Sequence, residues 1–144
     1  MLVSQILKSK ASDQVYTSQP TMLISEAANI LSEKRIGTLV ISRDGKSPDG
    51  ILSERDIVRE LGSRGAGCLT DSVEKLMTTK LVTCSEEDRA DAVLQKMTDG
   101  RFRHMPVLRD GALVGLISLG DVVKARLAEL SMEKDALEGM IMGH

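Results

Sequence analysis

The sequence predicts an α/β fold, an α+β sandwich of two consecutive β-α-β-β-α repeats packed on each other, and two observations predict it. First, residues 50–56 read Gly-Ile-Leu-Ser-Glu-Arg-Asp and residues 115–121 read Gly-Leu-Ile-Ser-Leu-Gly-Asp. This shared Gly-apolar-apolar-Ser-x-x-Asp frame marks an internal repeat. Second, the apolar spacing changes in the same order in both copies. Ala27, Ile30 and Leu31, like Ala90, Val93 and Leu94, keep the i, i+3, i+4 spacing of one helix face. Contiguous apolar runs follow, Leu39-Val40-Ile41 and Met105-Pro106-Val107-Leu108, as in buried strands.

The remaining elements fall into the same register. Val3, Ile6 and Leu7 match Val73, Leu76 and Met77 as a short leading helix, and Val15-Tyr16-Thr17 matches Val82-Thr83-Cys84 as an extended segment. Ser25 and Ser85 stand as helix-start residues ahead of the next helix. Arg43-Asp44-Gly45 matches Arg109-Asp110-Gly111 as a turn after the apolar run. Each Ser-x-x-Asp then leads into an amphipathic segment, residues 57–61 and 122–127. Copy one spans residues 2–62 and copy two residues 72–130, joined by a Gly-rich linker at 63–71. A unit of about 60 residues buries too little surface to be stable alone, so the copies are expected to share one core. Residues 131–144 form a helical tail. Leu127, Leu130, Leu137, Met140 and Ile141 keep helical spacing there, and this face packs either on its own body or on a second copy or partner.

Composition narrows the function. Tyr16 and Phe102 are the only aromatic residues, so the core is aliphatic, and the stacking platforms of single-strand binders are missing. A net charge of −2 argues against nucleic acid, whose binding needs clustered cations. The apolar runs fall far short of the roughly 20 residues that span a bilayer. The N-terminal residues carry no signal-peptide pattern, so a cytoplasmic location with no membrane partner is expected. Cys68 and Cys84 are the only cysteines and read as reduced thiols, with a disulfide or redox switch as the competing reading. They and His104 do not make a four-ligand metal site. His104 is the only internal histidine and the Gly-x-x-x-x-Gly-Lys-Ser/Thr loop is missing, so no catalytic residues are assigned and the chain is not expected to be an enzyme.

The run Arg103-His104-Met105-Pro106-Val107-Leu108-Arg109-Asp110-Gly111, continued by Leu113-Val114-Gly115-Leu116-Ile117-Ser118-Leu119-Gly120-Asp121-Val122-Val123, resembles the CBS (cystathionine β-synthase) domain. Gly50 to Val58 repeats that resemblance in the first copy. Such domains occur as tandem pairs, often called Bateman modules, and the chain is similar to stand-alone bacterial-type members. The resemblance implies a pseudo-twofold pair with two clefts between the copies. Those clefts are expected to take an adenine nucleotide (AMP, ADP, ATP or NAD(H)) or S-adenosylmethionine. It further implies a homodimer that signals cell energy or redox state to an unidentified regulated protein. The alternative is a structural dimerisation module with degenerate, non-binding clefts.

By the same resemblance, Asp56 and Asp121 clamp the ribose hydroxyls while Ser53 and Ser118 contact sugar or phosphate. Helix capping alone is the competing reading, since Ser-x-x-acid before an apolar run is a capping-box pattern. Arg103 and His104 are implied to reach phosphates, the alternative being solvated strand-end charges. Their first-copy counterparts are Gly37 and Thr38, with Arg55 placed to compensate. The clefts are therefore unequal, and tighter phosphate engagement is expected where Arg103 and His104 meet Ser118 and Asp121. The segments Ser12 to Val15 and Lys80-Leu81-Val82 are implied to offer backbone bonds and an apolar wall to adenine, or else are plain connections. Lys80 adds a phosphate contact, and Met105 is core or cleft wall.

Overall fold

The computed structural model describes residues 1–10 and 15–142. Helix α1 (Val3–Ser9) leads into the first set of elements: β1 (Thr17–Ser18), α2 (Ile24–Lys34), β2 (Thr38–Ile41), β3 (Gly50–Ser53) and α3 (Glu54–Arg64). A 3-10 segment, Gly65–Thr70, and a shorter one, Val73–Lys75, precede β4 (Cys84–Ser85), α4 (Ala90–Gly100), β5 (His104–Arg109), β6 (Ala112–Ser118) and α5 (Leu119–Ile141). The doubled pattern thus becomes two three-stranded sheets, β1-β2-β3 and β4-β5-β6. In each, the central strand runs parallel to the short first strand and antiparallel to the third.

Strand alternation sorts the central side chains. Leu39 and Ile41 join Ile24, Ala27, Leu31, Leu52 and Ile57 in one core, while Met105 and Val107 join Val93, Met97, Ile117 and Val122 in a second. The alternate residues, Thr38 and Val40 on β2 and His104 and Pro106 on β5, face the other way. Val40 and Pro106 are buried outside both cores. Two cores meeting at the backs of two central strands replace the expected single shared core.

The leading segments trade places. Val3 and Ile6 of α1 are buried in the second core, with Val3 N–H donating to Asp88 O at 2.8 Å and Ser4 N–H to Glu86 O at 2.9 Å. Reciprocally, Val73 is buried in the first core and its N–H donates to Met22 O at 2.8 Å. Neither repeat completes its own core. The stretch expected as a linker is structured: α3 runs to Arg64, and the following 3-10 segment buries Cys68.

One local expectation is corrected and two are sharpened. Ser25 lies inside α2 and Ser85 in β4, because Leu23 and Arg89 are the residues at the N-caps. Asp110 and Gly111, with φ of 52° and 80°, make the two-residue β5–β6 turn, the conformation type I′ hairpins need. The Asp44 counterpart instead opens a longer loop, in which its carboxylate accepts from the N–H groups of Lys46 and Ser47. Finally, the expected helical tail is the continuation of α5 through Ile141, and of the two packings left open for it the body takes no buried residue beyond Ala125. Among the described residues no helix is long and apolar enough to cross a membrane.

Candidate functional site

Both Ser-x-x-Asp frames form complete capping boxes. Ser53 N–H donates to Asp56 Oδ2 at 2.9 Å while Asp56 N–H donates to Ser53 Oγ at 3.2 Å. Ser118 and Asp121 repeat this at 2.9 and 3.1 Å. Each strand passes into its helix at a point where capped N–H groups and the positive helix end gather. The frame's glycine has a packing cause. A Cβ on Gly50 would sit 2.5 Å from Met77 Sδ, and one on Gly115 would sit 2.8 Å from Leu7 Cδ2. The exchanged leading segments press on the strand backbone there.

A cleft of about 430 Å³ opens beside the first frame, within the size range of small-ligand sites. Ser53, Arg55 and Asp56 from the β3–α3 junction meet Lys80, Leu81 and Val82 from the segment before β4, and Arg103 and His104 from the start of β5. Eight of the expected site residues thus converge in one cleft. Five cationic side chains, Arg55, Arg59, Lys80, Arg101 and Arg103, face two carboxylates, Glu54 and Asp56. Asp56 keeps only 16% of its side chain exposed, and its Oδ1 lies 3.7 Å from Arg59 Nη1. The excess of positive charge suits a polyanion, and guanidinium groups suit phosphate in particular.

Sequence reasoning missed Arg59, Arg101 and Phe102. Arg59 stands one helical turn beyond Arg55, a spacing that would have found it. Arg101 ends α4 in the left-handed conformation at φ 57°, as its counterpart Arg35 ends α2 at φ 54°. Such a position favours glycine, so two arginines there are a signal that only the backbone reveals.

The other expected residues lie elsewhere. Arg103 and His104 line the Ser53–Asp56 cleft with residues of the first repeat, while His104 also pairs with Ser118 across the β5–β6 ladder. Thr38 is buried and its Oγ1 lies 3.0 Å from His104 Nδ1. Met105 is fully buried in the second core and offers no cleft wall. Val15 precedes β1 and does not line the cleft, and Ser12 lies outside the described residues.

The second frame has a different environment. Lys10 Nζ lies 2.9 Å from Asp121 Oδ2 and donates to Leu116 O at 2.9 Å. Partial burial opposes ionisation of Asp121, but the bonds from Ser118 and Lys10 outweigh it and hold its carboxyl below the usual range. Burial holds the His104 imidazole below its ordinary 6.5, with Asp121 opposing that effect. Both cysteines are buried, and burial pushes the Cys84 thiol up to about 12. Its thiolate is therefore scarce.

Residues 3–63 and again residues 73–128 match the CBS domain. The chain belongs to the CBS domain family. The CBS domain-containing protein CBSX3 of Arabidopsis thaliana is 33% identical over 124 residues, 83% of this chain, and the chain spans 60% of that protein's length. The crystal structure of the CBS-domain containing protein ATU1752 from Agrobacterium tumefaciens shares 42% identity at a TM-score of 0.82, covering 88% of this chain and 99% of that one. The CBS domain protein PAE2072 from Pyrobaculum aerophilum, complexed with AMP, shares 28% identity at a TM-score of 0.78, covering 92% and 99%. Two CBS repeats packed as a pair, the arrangement of these neighbours, account for the doubled frame.

Proposed function

We propose that this CBS pair is a non-catalytic regulatory module that binds an adenine nucleotide in the Asp56 cleft. The observation carrying this reading is the meeting of a ribose-sized acceptor, Asp56, with five cations and the apolar pair Leu81 and Val82 around one cavity. Asp56 accepts the ribose hydroxyls, the guanidinium groups take phosphates, and Leu81 and Val82 flank the base. AMP bound to PAE2072 supports the adenosine part. The cationic excess favours AMP, ADP or ATP, with NAD(H) a larger member of the same class. Binding signals energy or redox state to a cytoplasmic partner only insofar as the ligand prefers one angle between the repeats. Titration calorimetry of nucleotide-free protein with AMP, ADP, ATP and NADH tests the reading. Saturable binding of at least one is expected, and none at millimolar ligand overturns it.

The module is further proposed to be a homodimer through α5. Val123, Leu127, Leu130, Lys134, Leu137 and Ile141 alternate four- and three-residue spacings, a coiled-coil seam with one polar position. Leu127, Leu137 and Ile141 are 63, 60 and 83% exposed. Antiparallel pairing of the seam with itself sets Lys124 opposite Glu138 of the partner subunit, which favours a second copy over another occupant. Leu130→Glu with Leu137→Glu is expected to give monomers in sedimentation analysis with the fold intact. A dimer that survives both changes overturns this reading.

A further inference from the structure

The two Ser-x-x-Asp frames close alike, but their surroundings differ. Lys10 follows Val3 by as many residues as Lys80 follows Val73, so the two lysines are counterparts. After Val73 the chain soon becomes extended. Thr78 exchanges both backbone bonds with Ile51, at 3.0 and 2.8 Å, and Lys80 stays on the exposed wall of the Asp56 cleft. After Val3 the helix persists to Ser9, whose Oγ donates to Ile6 O at 2.8 Å. The backbone is thereby kept away from Leu116, the counterpart of Ile51, and the Leu116 carbonyl is satisfied instead by the Lys10 ammonium at 2.9 Å.

That same ammonium lies 2.9 Å from Asp121 Oδ2, where the Ser118 N–H also donates at 2.9 Å. The lysine and aspartate side chains retain 27% and 24% of their exposure. We infer that Lys10 occupies the ribose position of the second cleft from within the chain, so that each chain takes one nucleotide, at Asp56, and the Asp121 cleft opens only when Lys10 withdraws. The inference rests on the nucleotide reading of the Asp56 cleft. A ribose diol offers neutral hydroxyls to a carboxylate, whereas Lys10 offers a charge-assisted bond already in place. The extra turn of α1 therefore sets the number of sites. Among the described residues no cation bonds Asp56 as closely: Arg59 lies 3.7 Å from it.

Calorimetric stoichiometry with AMP on the full chain tests this. Lys10→Met keeps the aliphatic stem and removes the ammonium. One AMP per chain is expected for the unmodified protein, two for Lys10→Met, and for Lys10→Met combined with Asp56→Asn one site unchanged and the other weakened roughly tenfold or more. Two per chain in the unmodified protein, or no site gained in Lys10→Met, overturns the inference. An unmodified chain that binds nothing while Lys10→Met binds one AMP sinks the Asp56 reading and, with it, the single site per chain, and sustains only the block of the second frame by Lys10. Carboxyl NMR gives a ligand-free measure of the contact. The Asp121 carboxyl is expected to titrate at higher pH in Lys10→Met than in the unmodified chain, and an unchanged titration overturns the inference whatever the nucleotide does.

Discussion

Thr38 and His104, the first residues of equivalent strands, bond to each other, with Thr38 Oγ1 3.0 Å from His104 Nδ1. The contact lies where the backs of β2 and β5 meet, so the two repeats touch through positions that correspond. His104 also lines the Asp56 cleft, which joins the inter-repeat contact to the site.

Burial of His104 makes stability depend on pH. Burial lowers the His104 pKa from 6.5 in the folded chain, so the unfolded chain binds the proton first as pH falls. The stabilisation is complete above about 6.5 and is lost as pH drops through the folded-state value. The melting temperature is expected to fall between about pH 7 and pH 5, and His104→Asn to flatten that slope. An equal slope in both proteins would assign the dependence to other groups.

Capping and ligand binding separate at Asp56. The Asn side chain of Asp56→Asn retains an oxygen acceptor for Ser53 N–H, so stability is expected to change by less than about 1 kcal/mol. The ribose loses a charged acceptor worth about 1.5–3 kcal/mol, weakening AMP binding roughly tenfold or more. Calorimetry and thermal melts on the same variant decide. Unchanged affinity would leave Asp56 as a cap alone.

Arg101 holds a left-handed backbone, φ 57°, at the rim of the cleft. Arginine there costs about 1–2 kcal/mol in backbone strain, part of which glycine returns as unfolded-state entropy. Arg101→Gly is therefore expected to melt no lower than the unmodified protein, by chemical denaturation, while binding ATP more weakly. Equal ATP affinity would mean that the guanidinium does not meet the phosphates.

Gly115 marks where α1 crosses onto the second repeat. Its added Cβ would meet Leu7 Cδ2 at 2.8 Å and Cδ1 at 3.0 Å. Gly115→Ala is expected to cost about 1–3 kcal/mol by overpacking. Combining it with Leu7→Ala should cost less than the sum of the single changes, since the two groups compete for one space. Additive losses in urea denaturation would show that α1 does not seat there.

Much of the architecture was legible because the repeat is written twice. Periodicity at Ala27, Ile30 and Leu31 and the run Leu39-Val40-Ile41 report local burial, and they correctly yield helix, strand and order. The frame residues Ser53, Asp56, Ser118 and Asp121 were legible for the same reason, as each box closes within four residues. The exchange of α1 was not. Val3 and Ile6 announce a face to be buried, but both cores are aliphatic, so nothing local says which one receives it.

What the sequence by itself determined is therefore the pair of repeats, their elements and the chemistry available at each Ser-x-x-Asp turn. Only the tertiary structure decided how that chemistry is shared out. It brought Arg103 and His104 to Asp56 and Lys10 to Asp121, across the division between the repeats. Placement across a pseudo-twofold junction depends on how two similar surfaces dock, a long-range property that residue spacing does not encode.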